Sequence, residues 1–110
     1  MPLKIIPATA RERKRYLLVT IEPADAIDRR ELENAILNSC LQFLGELGVA
    51  KAGIIVMSDT YDGKKVIVKT GHKFIDETKS AISLIKTIGN KKVRLSTIRV
   101  SGAIDKLKSN

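Results

Sequence analysis

Lys91-Lys92-Val93-Arg94-Leu95-Ser96-Thr97-Ile98-Arg99-Val100-Ser101-Gly102 reads as a strand with a fault in its alternation. Apolar and β-branched residues alternate with cations and hydroxyls, which places the two sets on opposite faces. Val93 and Leu95 share one parity, but Ile98 and Val100 fall on the parity of Lys92 and Arg94. A strand with one dry and one wet face does not switch parity, so it either bulges near Ser96-Thr97 or has both faces covered.

Working outward, the preceding segment from about Phe74 to Ile88 reads as a helix. Asp76 and Glu77 sit in its first turn, where they complement the helix dipole. Ile75, Ala81, Ile82, Leu84, Ile85 and Ile88 form its apolar face, and Gly89-Asn90 closes it. Before it, Lys64-Lys-Val-Ile-Val-Lys-Thr70 is a strand, and Asp59-Thr-Tyr-Asp-Gly63 is a turn whose Asp-Gly pair favours a hairpin. Ala52–Ser58 is the strand on the other side of that turn.

The strongest local signal is Ile27-Asp28-Arg29-Arg30-Glu31-Leu32. Asp28 is placed to cap the orphan N–H groups of a helix, with Glu31 returning a bond and Ile27 and Leu32 closing a hydrophobic staple. Leu32, Ala35, Ile36, Cys40, Phe43, Leu44 and Leu47 then form one stripe, and Gly48 is expected to end the helix. Tyr16–Ile21 is a near-continuous apolar strand, as for a central position, and stops at Glu22-Pro23. Gly102–Lys108 forms one possible helical turn.

The order strand, helix, strand, strand, helix, strand predicts an α+β, ferredoxin-like (RRM-like) βαββαβ sandwich. Its antiparallel four-stranded sheet has the first and third strands central and two helices on one face. The other face is expected to be open. Residues 11–108 are read as a single domain and residues 1–10, with Pro2 and Pro7, as a loose N-terminal segment.

Among 110 residues, 20 Lys and Arg against 12 Asp and Glu give a net charge of +8. That excess on a small chain points to a polyanionic partner. The single cysteine, Cys40, excludes an internal disulfide and sits mid-stripe as a packing atom. No apolar run approaches the ~20 residues of a membrane span, and no signal peptide is evident, so the expected location is the cytoplasm.

Catalytic chemistry has little support. His72 has no partner at metal spacing, and no phosphate-binding glycine loop exists. Asp25, Asp28, Asp59 and Asp62 each have a turn or cap explanation. Base stacking on the sheet is disfavoured, because strand one offers only Tyr16 and strand three no aromatic. An acyl-phosphatase-like site lacks its anion loop. Any RNA grip is therefore electrostatic, through counterion release, with Arg11-Glu-Arg-Lys-Arg15 as the leading arm.

Arg13-Lys-Arg-Tyr-Leu17, Phe43-Leu-Gly-Glu-Leu-Gly48, Ala81-Ile-Ser-Leu-Ile-Lys-Thr-Ile-Gly89 and Val93–Gly102 together resemble archaeal ribonuclease P protein component 2. That family comprises the Pop-type small subunits of ribonuclease P/MRP, and the resemblance spans about residues 11–108. Here Lys69, Lys73, Lys79 and Lys86 stand where the family often has Arg, keeping the charge without the planar fork. Its closing V-S-G-T is Val100-Ser-Gly-Ala103.

The resemblance implies a non-catalytic subunit of an RNA-based endoribonuclease, which binds and supports the RNA as the particle removes the 5′ leader of precursor tRNA. It implies ribonuclease P RNA and protein component 3 as partners, in a dimer of heterodimers, with precursor tRNA met indirectly. No cofactor is bound by the protein, and Mg²⁺ belongs to the RNA. The candidate RNA contacts are Arg11, Arg13, Lys14, Arg15, Lys64, Lys65, Lys69, Lys73, Lys91, Lys92, Arg94 and Arg99. The candidate protein-partner surface is Tyr16, Leu18, Ile67, Ile98 and Val100 on the uncovered sheet face. On this expectation the closing strand is basic where RNA passes and apolar where a protein docks. A bulge would return Ile98 and Val100 to the core. The alternative is a small basic protein-interaction or assembly module without an RNA role.

Overall fold

The computed structural model describes residues 13–108; Arg11 and the segment 1–10 lie outside them. The capping signal at Asp28 acts as expected: its carboxylate accepts from Arg30 N at 3.1 Å and starts helix α1, Arg29–Ala52. Strand β1, Lys14–Glu22, runs before it, and β2, Ile55–Met57, after it. Strand β3 is Lys65–Gly71, α2 is Ile75–Ser83, and a short pair follows, β4 (Thr87–Ile88) and β5 (Lys91–Lys92). Strand β6, Arg94–Ser101, and α3, Ile104–Lys108, complete the described chain.

The main sheet has the order β2-β3-β1-β6 with every pairing antiparallel, so the apolar β1 and β3 are central. This is the ferredoxin-like α+β sandwich expected from the order of elements. One face of the sheet, carrying Leu17, Val19, Ile21, Val66 and Val68, packs with Leu32, Ile36 and Cys40 of α1 and Ala81 and Ile82 of α2. The core contains one buried polar link. Thr78 Oγ1 donates to Phe74 O at 2.7 Å, so the hydroxyl of Thr70, 3.1 Å away, must donate to Thr78 and tie β3 to α2.

Several boundaries differ from the sequence reading. Helix α1 does not end at Gly48. It breaks at Gly45 (φ 79°, ψ 167°), resumes, and is capped by the left-handed Gly53. Gly48 serves the break instead, since a Cβ there would lie 2.9 Å from Leu44 Cβ. The expected strand Ala52–Ser58 shrinks to β2 because α1 consumes its start. The hydroxyl of Thr60 closes its far end, donating to Met57 O and accepting from Ile67 N.

Helix α2 stops at Ser83, short of Ile88. Gly89-Asn90 is a two-residue hairpin loop rather than a helix cap, with Ile88 paired to Lys91 and Gly89 at φ +65°. Both arrangements bury Ile85 and Ile88, so burial does not choose between them. The hairpin is joined by backbone bonds, including Val93 N to Lys86 O at 2.9 Å.

The second sheet face is not open. Helix α3 lies across it, and Leu107 buries itself against Leu18 and Ile67, with Tyr16, Met57 and Ile104 around them. A five-residue helix does not hold its shape in water alone. Burial of Leu107, worth about 1.5–3 kcal/mol, is what anchors it.

Candidate RNA and partner interfaces

The register between β1 and β3 gathers cations at one end of the sheet. Lys14 pairs with Gly71, Arg15 with Thr70 and Tyr16 with Lys69, and His72 N donates to Arg13 O at 2.9 Å. Arg13, Lys14, Arg15, Lys69 and Lys73 therefore meet where β1 begins and β3 ends. Alternation sends Lys14 and Lys69 to the α3 side and Arg15 to the helix-layer side. Arg13, Lys14 and Lys73 are exposed, while Arg15 and Lys69 are half-buried. Arg15 is held close, its Nη1 donating to Lys14 O at 2.9 Å and passing over Gly102, where a Cβ would come within 3.3 Å.

The opposite end is mixed in sign. Lys64, Lys65, Lys91, Lys92 and Arg94 lie there, but among carboxylates. Arg94 faces Glu22 across the ladder, and the Asp62 carboxylate accepts from the backbone N–H of Lys64 and Lys65, both at 2.9 Å. Those two bonds lower the pKa of Asp62 below the ordinary carboxylate value. Burial first, then the charges of Asp25, Asp62 and Asp28, push the Tyr61 hydroxyl upward. The ammonium of Lys91 donates to Ala26 O at 2.8 Å. Arg99 stands midway, opposite Leu18. The candidate RNA contacts thus separate into an end where Arg13, Lys14, Arg15 and Lys69 cluster, with Lys73 followed by Asp76 and Glu77 in the first turn of α2, and an end where cations are interleaved with Glu22, Asp25, Asp28 and Asp62.

The five candidate partner residues do not form one surface. Leu18 and Ile67 share the second sheet face but are 4% and 3% exposed, because Leu107 covers them. Tyr16 is half-buried at the margin of the same cluster. The fault in the closing strand is a bulge. The β1–β6 register jumps between Leu18↔Arg99 and Val19↔Thr97, leaving Ile98 as the extra residue, one position beyond the expected Ser96-Thr97. The bulge restores Val100 to the parity of the core, opposite Leu17. Yet Val100 stays 38% exposed and Ile98 56% exposed, because β6 is an edge strand. Neither returns to the core, and neither joins Leu18 on the far face.

The sequence reading also missed exposed residues. Phe43, Leu47 and Leu84, assigned to core stripes, are 47%, 69% and 56% exposed. For the two residues of α1 the signal was present: two glycines three apart, Gly45 and Gly48, inside an otherwise helical run. Cys40 is fully buried, and burial pushes its thiol up to about 11. His72 is exposed, and among the described residues no three His, Cys, Asp or Glu side chains are placed to hold a metal ion. No described helix is long and apolar enough to cross a membrane.

Fold and surface together define a ferredoxin-like sandwich with a cationic strand end and a helix-covered second face. Comparison with known proteins gives this class a family. The model of the Rpp14/Pop5 family matches residues 15–110, and the chain belongs to that family. Ribonuclease P protein component 2 of Methanobrevibacter smithii is 32% identical, over 94% of this chain and 92% of its own length. The component 2 proteins of Pyrococcus furiosus and Archaeoglobus fulgidus are each 30% identical over 96% of this chain, and 88% and 94% of their own. A chain in the yeast ribonuclease MRP structure shares the fold, with a TM-score of 0.61 at 17% identity, covering 84% of this chain and 76% of that one.

Proposed function

We propose that this chain is a protein subunit of ribonuclease P, supporting the catalytic RNA as the particle removes the 5′ leader of precursor tRNA. The observation that carries this reading is the near-complete overlap, at about a third identity, with component 2 proteins of archaeal ribonuclease P. The charge placement supports it. Arg13, Lys14, Arg15, Lys69 and Lys73 form the end that meets RNA phosphates, while Lys64, Lys65, Lys91, Lys92 and Arg94 contribute less because carboxylates share their surroundings. Arg11 continues the arm, and Arg99 contacts RNA from the edge strand.

In this reading the chain holds no catalytic group, and the reactive Mg²⁺ ions sit in the RNA. A second protein subunit, component 3, binds it directly, and two such pairs join in the particle. Precursor tRNA is reached through the RNA, and the particle works in the cytoplasm. The test is reconstitution of precursor-tRNA cleavage from the cognate RNA and protein subunits with and without this chain. Omission is expected to lower cleavage at physiological Mg²⁺ by tenfold or more. Equal cleavage without it would refute the role.

A further inference from the structure

A groove of about 690 Å³ runs between α1 and the β4–β5 hairpin. Its floor is apolar, from Ala35 and the buried Ile85 and Ile88. Along one wall Asn34, Asn38 and Gln42 recur at four-residue spacing, which puts three uncharged amides on a single face of α1. Ser39 also lines it, but its hydroxyl is already spent on Ala81 O at 2.6 Å. At the rim stand Phe43, just before the break at Gly45, and Leu84, where α2 stops short; both are about half exposed.

We infer that this groove is the docking site of a second, different protein, which inserts an apolar side chain between Phe43 and Leu84 and offers backbone groups to the amides. The inference rests on the reading of the chain as a ribonuclease P subunit and adds the surface by which it meets another subunit. Charge selects the occupant. The chain carries +8, yet the charged residues lining this groove are one cation, Lys86, and one carboxylate, Glu31. A polyanion gains little at a neutral surface when a cationic end exists elsewhere. Loss of charge together with an exposed aromatic is instead the composition of a protein-interface centre. A second copy would set +8 against +8, whereas a neutral or acidic partner meets no such opposition.

The test uses the full chain, the cognate ribonuclease P RNA and each cognate protein subunit. Calorimetry measures subunit binding, filter retention measures RNA binding, and sedimentation follows the chain alone. Two variants are compared with wild type: Phe43→Asp with Leu84→Ser, and Asn38→Arg, a single exposed substitution that leaves the helix intact. Both are expected to weaken binding to one protein subunit at least tenfold, while RNA retention stays within twofold of wild type and so certifies folding. Unchanged subunit affinity overturns the inference. So does a fall in RNA affinity at unchanged subunit affinity, which would give the groove to RNA, and so does a wild-type dimer that the variants dissolve. A wild-type chain that binds neither RNA nor any subunit refutes the ribonuclease P reading itself, and the docking site with it.

Discussion

Placement, rather than total charge, should decide how this chain holds RNA, and paired neutralisations separate the two. Arg13 and Lys14 are exposed at the cationic end, where β1 begins beside the end of β3. Arg15 is a poorer target, because its guanidinium is folded onto Lys14 O and over Gly102, so its loss would disturb local structure as well. Changing Arg13→Ala with Lys14→Ala removes two phosphate contacts. At about 0.7–0.9 of slope per contact, log affinity against log salt should flatten by about 1.4–1.8. Across the fourfold salt range from 50 to 200 mM, the variant should then lose about 7–12-fold less affinity than wild type. The matched control, Lys64→Ala with Lys92→Ala, removes the same charge from the end that also carries Glu22, Asp25, Asp28 and Asp62, and its slope should flatten by less than that of the first pair. The assay is filter retention of the cognate ribonuclease P RNA over a salt series. Equal flattening by both pairs would make net charge the cause, and no flattening by the first would remove the cationic end from the interface.

Three further outcomes follow from the geometry. Gly48→Ala places a Cβ 2.9 Å from Leu44 Cβ and should cost about 1–3 kcal/mol in urea unfolding, whereas Ala50→Ser on the exposed side of the same segment should cost under about 0.5 kcal/mol. The Cys40 thiol, raised to about 11 by burial, should label about a hundredfold more slowly at pH 8 than a thiol at its ordinary 9, on ionisation alone, with full reactivity restored by denaturant. Asp62, lowered by the Lys64 and Lys65 N–H groups, favours the fold above the ordinary carboxylate value of 3.8 and loses that contribution as pH falls through its lower folded value. Asp62→Ala should therefore be less stable than wild type at pH 6, and the gap should close toward pH 2, as read by thermal unfolding at each pH.

What was legible in the sequence was what local chemistry settles. Asp28 before an apolar period could only cap a helix, and the apolar runs of β1 and β3 demanded central positions, so the sandwich followed from order alone. The charge run at Arg13–Arg15 was visible, but its value came from register, which brought Lys69 and Lys73 beside it and put Lys64 and Lys65 among acids. Register is set by tertiary packing, so residue type alone ranked those lysines equally. The reading failed where two structures satisfy one pattern. Ile85 and Ile88 are spaced for a helix face, yet a hairpin buries them as well. Gly48 looks like a terminator, yet it permits a close approach that lets α1 continue to Ala52. Those two ambiguities bear directly on function, because they fall on either side of one groove. The sequence pattern puts Phe43 and Leu84 on helical core stripes, yet they are 47% and 56% exposed. Phe43 lies two residues before the break at Gly45 and Leu84 one residue past the end of α2, and both are about half exposed, so the candidate docking surface sits where local propensity gave way to packing.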